Sequence, residues 1–125
     1  FYAHVDATSL DETIFEQNVA HGYWVLSKAA GLFVDGKKGP VLLNYGLEDC
    51  RFTKPVYPGM TLGVKFTAKE KISQEKKEFK EGEEIPKGMD IKKGIVKFLV
   101  DVYDETGETV ALATILTMIK FKNQD

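Results

Sequence analysis

Cysteine is nearly missing from this chain of 125 residues. Cys50 stands alone, so no disulfide can form within the chain, and the usage fits a reducing compartment. Histidine is scarce as well. His4 and His21 lie 17 positions apart with no close Cys or His neighbour, which is not the spacing of a metal-ligand set. There is no glycine-rich phosphate loop. Charge of one sign is lacking: 19 acids against 17 bases leave a net charge of −2, so there is no electrostatic footprint for nucleic acid or an anionic membrane surface. Long hydrophobic runs are lacking too. The longest mostly apolar stretch, Gly22 to Val34, carries Ser27 and Lys28 and falls short of the roughly 20 residues that span a bilayer. No basic leader or small-residue cleavage site is present, and the default expectation is the cytoplasm. A starting methionine is also missing: Phe1-Tyr2-Ala3-His4 reads as the interior of a longer polypeptide.

What remains is a globular composition, 43% hydrophobic and 29% charged, of a size for one core. Thr8 or Ser9 followed by Asp11 and Glu12 predicts a short N-terminal helix, with the acids at the positive end of its dipole. From His21 to Val34 apolar or small residues point in every direction on a helical wheel. That predicts a helix buried all round, stopped by Gly36 of Asp35-Gly36 in the left-handed conformation. The rest reads as strands. One runs within Pro40 to Thr53, and Pro55 to Gly59 then turns the chain. Thr61 to Ile72 alternates Leu62, Val64, Phe66 and Ala68 with polar or small residues. Lys93 to Asp104 puts Val96, Phe98, Val100 and Val102 on one face. Thr109 to Lys120 is apolar on both faces, as for a strand inside a sheet, and residues 104–108 between the last two signal a hairpin. The segment 73–92 is a solvated loop with 11 charges of both signs. There is no repeat and no linker, so residues 1–125 make one domain. The economical arrangement is α+β, an antiparallel sheet wrapped around a central helix as in the hot dog fold.

The blocks Phe1-Tyr2-Ala3-His4-Val5-Asp6, Val19-Ala20-His21-Gly22-Tyr23 and Arg51-Phe52 with Pro55-Val56-Tyr57-Pro58-Gly59 resemble the MaoC-type hot dog enoyl-CoA hydratases. The stretch from His21 to Val34 and the run from Gly39 to Glu48 resemble one branch, the oxepin-CoA hydrolase domain fused behind an aldehyde dehydrogenase in phenylacetate degradation. The resemblance implies an acyl-CoA thioester as substrate, with no other cofactor. It implies an Asp–His dyad that activates water and an oxyanion hole at the start of the buried helix. It also implies at least a homodimer with the acyl-CoA tunnel at the interface. His4 matches the motif histidine and Gly22 the oxyanion-hole position. The motif aspartate falls two residues before Phe1, and the family's first strand falls further upstream, so the domain is expected to be N-terminally incomplete. Met60 stands where the family's Pro-Gly turn usually continues with aspartate, which bears on turn stability more than on chemistry.

Each candidate has a plainer reading beside it. His4 alone would be an exposed loop histidine; with its blocks it is the base. His21 reads as a capping or packing residue before a catalytic one. Gly22 serves either tight packing or the oxyanion. Asp6 is the nearest carboxylate to His4, although the resemblance assigns the upstream acid. Ser27 bonds a carbonyl one turn back. Asn44, Tyr45 and Gly46 either line the tunnel or form an ordinary strand with a glycine irregularity. Cys50 is a packed thiol. The alternatives in function are a straight-chain (R)-specific enoyl-CoA hydratase, a hot dog thioesterase or acyl-carrier dehydratase, and a non-catalytic acyl-CoA-binding or scaffold domain. The absence of Asp and Glu from Tyr23 to Val34 counts against the thioesterase.

Overall fold

The strand that is apolar on both faces lies inside the sheet. In the computed structural model, which describes residues 2–8, 10–75 and 77–125 and only the backbone of Tyr2, Thr109–Lys120 (β4) is flanked on both sides. Its neighbours are Val41–Phe52 (β1) and Lys93–Tyr103 (β3), and Gly63–Ser73 (β2) completes the order β1-β4-β3-β2. All pairings are antiparallel. β1 carries three irregularities against β4, the first between Val41 and Leu43. Tyr45 is an extra residue between the Asn44–Thr117 and Gly46–Leu116 pairs, and Asp49, at φ 50°, opens the third between Glu48 and Arg51.

Gly22–Phe33 (α1) lies on one face of this sheet. Val25 and Ala29, one turn apart, press into Val56, Val100, Val102, Val110 and Ala111, all of them buried. Burying each such valine side chain contributes about 1.5–3 kcal/mol before entropy is counted. Phe33 anchors the other end of the helix by stacking on Phe66 at 4.0 Å, with Phe98 at 5.4 Å.

Three expectations are corrected. The helix is not buried all round within this chain: Tyr23 is 76% exposed and Leu32 65%, because four strands cover one side of the helix only. Its stop is not Gly36, which does not take a positive φ. Val34 turns extended first (φ −81°, ψ 123°) and its N–H bonds Gly31 O. Among the described residues no helix begins between Thr8 and His21. The Asp6 carboxylate takes both the backbone N–H and the hydroxyl of Thr8, and Glu12 adopts φ 67°, a conformation no α-helix contains. Ser9 lies outside the described residues. A single 3-10 turn, Tyr2–His4, forms instead. In β2 the alternation holds for Val64 and Phe66, while Ala68 is exposed. Of segment 73–92, Ser73 is the last residue of β2, and the described residues after it form no strand or helix.

The hairpin between β3 and β4 closes on Asp104. This carboxylate is 2% exposed, and its Oδ1 accepts from the Thr106 N–H, the Thr106 hydroxyl and the Glu108 N–H. Its Oδ2 takes Lys54 Nζ at 2.6 Å, and Lys54 also pairs with Glu108. Lys54 and Thr106 hold the Asp104 carboxyl well below the usual carboxylate range, and Asp104 with Glu108 raises the Lys54 ammonium above its usual value. The depressed carboxyl stabilises the fold above its unfolded pKa, about 3.9, and that contribution disappears as pH falls through the folded value. Asp104→Asn is therefore expected to lower Tm by several degrees at pH 7 and to flatten the acid limb of a Tm-versus-pH profile; an unchanged acid limb would remove Asp104 from this account.

Candidate active site

Three backbone segments far apart in sequence are laced beside the start of α1. Val19 N–H bonds Ala3 O (3.0 Å), and Ala20 N–H bonds Val56 O (2.8 Å). His4, at the end of the 3-10 turn, is thereby brought beside His21 and Gly22. Its Nδ1 lies 2.6 Å from the Val19 carbonyl oxygen. A carbonyl only accepts, so Nδ1 carries the proton, and in the neutral ring the lone pair is on Nε2. The His4 carbonyl in turn accepts from Asn18 Nδ2 at 3.3 Å.

His21 is the N-cap residue of α1 and makes no side-chain cap bond. Its imidazole stacks on that of His4 with ring centroids 3.8 Å apart and planes 24° apart. Of the two roles expected, packing is the one seen. Gly22 opens the helix. The first bond within the helix runs from Val25 N–H to His21 O (3.1 Å), so the N–H groups of Gly22 and Tyr23 have no partner in the helix and sit at its positive end. Gly22 is also closely packed: a Cβ would stand 2.7 Å from the Phe52 ring, which would have to shift to admit it. Phe52 further meets Tyr23 edge-on at 5.7 Å.

His4, Val19, Ala20, His21 and Val56 form a wall between two clefts. One, about 550 Å³, is bounded by Ile14, Phe15, Gly22, Tyr23 and Phe52, with Lys54 and Pro55 at its edge. The other, about 610 Å³, runs past Asn18, Trp24 and Lys28 to the turn from Tyr57 to Met60. That turn is closed by Met60 N–H on Tyr57 O (3.2 Å), and Met60 Sδ accepts the Tyr57 N–H at 3.1 Å. The thioether thus occupies an acceptor position within the turn. An imidazole with its lone pair on Nε2, next to unpaired helix N–H groups, can take a proton from water while an oxyanion forms nearby.

His4 and Gly22 therefore line the same cleft. Asn44, Tyr45 and Gly46 do not join them in a single copy: they lie on the exposed edge strand β1 and line neither cleft. Asp6 Oδ1 accepts from Thr8, Ser27 is exposed, and Cys50 is half-buried, with burial pushing its thiol up against the opposing charge of Arg51. Among the described residues no group of three His, Cys, Asp or Glu is placed to hold a metal, and no helix is long and apolar enough to cross a membrane. Sequence reasoning missed the His4–His21 stack, the Val19 carbonyl and the Phe52 ring over Gly22. Only the last had a signal, the phenylalanine of the Arg51-Phe52 block.

Comparison with known proteins places this geometry. A curated relative, Protein MaoC of Klebsiella aerogenes, is 52% identical over 71 residues, 57% of this chain; the match spans 21% of that protein, about a fifth of its length. A solved structure titled as a monoamine oxidase regulatory protein from Archaeoglobus fulgius superposes with a TM-score of 0.75 at 27% identity, over 98% of this chain and 74% of that one. The MaoC-like dehydratase of Rhodospirillum rubrum gives a TM-score of 0.74 at 18% identity, over 98% and 76%, a likeness of fold. The fold is the hot dog fold. Residues 1–87 match the family model described as the MaoC like domain, and the chain belongs to that family.

Proposed function

We propose that this chain hydrates an α,β-unsaturated acyl-CoA. The observation that carries the reading is the Nδ1–H bond of His4 to Val19, which puts the ring's base on Nε2, in a residue that lines the same cleft as Gly22, the first residue of α1. In this mechanism Nε2 takes a proton from water as the oxygen bonds to the β-carbon. The displaced π electrons move onto the thioester oxygen, held by the Gly22 N–H, and a proton returned to the α-carbon completes the addition. The resemblance supplies a second group, an aspartate five residues before the family's motif histidine, which would share the proton transfers.

The finer reading is ring opening of oxepin-CoA, supported by the resemblance of His21 to Val34 and of Gly39 to Glu48 to that branch. Water added to the ring's enol ether gives a hemiacetal, and its collapse opens the ring to an aldehyde, which a fused dehydrogenase would oxidise. The aromatic walls Phe15, Tyr23 and Phe52 suit an unsaturated ring. We propose as well that two copies associate. Trp24 and Leu32 on α1 and Val41 and Leu47 on the edge strand β1 are each 46–65% exposed. A second copy laid there would cover them and bring its own Asn44, Tyr45 and Gly46 towards the site.

Three outcomes are expected. In full-length protein His4→Ala should cut hydration of oxepin-CoA and crotonyl-CoA by at least about a hundredfold with Tm unchanged; retained turnover would sink the assignment. Turnover of crotonyl-CoA alone would select the straight-chain reading. Gly22→Ala should cost about 1–3 kcal/mol by overpacking against Phe52. In a Phe52→Ala background the same change should be neutral or stabilising, because alanine favours a helix over glycine by about 1 kcal/mol; equal costs in both backgrounds would contradict the contact. Finally, size-exclusion chromatography with light scattering should find at least a dimer, and a stable active monomer would defeat the association.

A further inference from the structure

His21 has no task in the mechanism above, yet it lines both clefts. Its side chain does not cap the helix it precedes. It is also exposed, so burial does not account for it. What it does make is a face-to-face contact with His4 at 3.8 Å. The contact acts on the base in a definite way. The Nδ1 bond to Val19 orients the His4 ring at one edge. A flat neighbour against its face opposes tilting of the ring. The hydrogen bond at the edge and the stack on the face both act on the plane in which Nε2 is presented.

The same residue begins α1. Its carbonyl accepts the first bond within the helix, from Val25, and the next N–H along the chain is that of Gly22. The ring that restrains the base thus belongs to the residue whose backbone sets the oxyanion site. We propose that His21 is a positioning residue: its imidazole fixes the plane of the His4 ring and ties the base to the helix start at a constant offset. The proposal rests on the hydratase reading for its kinetic consequence, but its physical content, the restrained ring, stands apart from the reaction.

The test compares three full-length proteins: wild type, His21→Ala, and His21→Phe, which restores a flat face without a titratable nitrogen. His21→Ala should lower kcat by about ten- to a hundredfold with KM within about twofold, the signature of a misplaced group rather than lost binding. His21→Phe should recover kcat to within about threefold of wild type, since an aromatic face is all the stack requires. The second readout is the Nδ1 proton of His4 in the nuclear magnetic resonance spectrum. It should be protected from exchange in wild type, exchange faster in His21→Ala, and regain protection in His21→Phe. If His21→Ala fails to fold, His21→Leu, which has bulk without a flat face, takes its place. Equal losses of kcat in the alanine and phenylalanine proteins would overturn the proposal, and so would an alanine protein with wild-type kcat and wild-type proton exchange. If wild type hydrates neither thioester, the hydratase reading fails, and the exchange data alone decide the role of the stack.

Discussion

The structure depends on one narrow seam. A single stripe of α1, Val25 and Ala29, meets small and β-branched residues of the sheet and of the segment at Val56, and this fixes where the helix lies. Side chains of that size let a helix come close to a sheet, and in a close-packed interior a shift at one point is felt along the whole element. Phe33 pins the far end against Phe66 and Phe98, so rotation of the helix is opposed at both ends of the stripe. The direction of the helix N-terminus, and with it the field at Gly22, is a consequence of hydrophobic contacts that carry no chemistry themselves.

The site itself is assembled from backbone. His4, His21 and Val56 come from three segments without regular strand pairing, yet the bonds from Val19 to Ala3 and from Ala20 to Val56 join them. The Lys54–Asp104–Glu108 cluster holds the start of the third segment to the tip of the β3–β4 hairpin. A rigid floor beneath a partly exposed pair of imidazoles gives access for a ligand and a fixed frame for the groups that would meet it. This division suits a site in which displacement of an ångström matters more than affinity.

The fold was legible where periodicity is set by a local rule. The alternation in β3, the two apolar faces of β4, the turn at Asp104 to Glu108 and the helix expected over His21 to Val34 follow from side-chain direction along strand or helix, and the structure keeps them, with the helix at Gly22–Phe33. The failures came where tertiary or side-chain competition decides. Asp6 and Thr8 satisfied each other instead of starting a helix, and Val34 ended α1 before Gly36 was reached. The all-round apolar helix asked for more cover than four strands supply. In the site, His4 and Gly22 were legible only through neighbouring blocks that resemble a family. The stack of His21 on His4 was not, because no spacing rule relates residue 4 to residue 21. Only the laced backbone brings them together.

The strand order carries a consequence for the making of the protein. β1 leaves the ribosome well before its partner in the sheet, β4, because residues 53–108 must be synthesised between them. Until β4 emerges, β1 has no neighbour of its own, and the valine seam lacks Val110 and Ala111, two of its buried members. Pairing across so long a separation is slow, and an unpaired apolar strand beside an apolar helix is the kind of intermediate on which chaperones act. Such a chain is vulnerable to misassociation from the emergence of β1 until β4 closes the sheet.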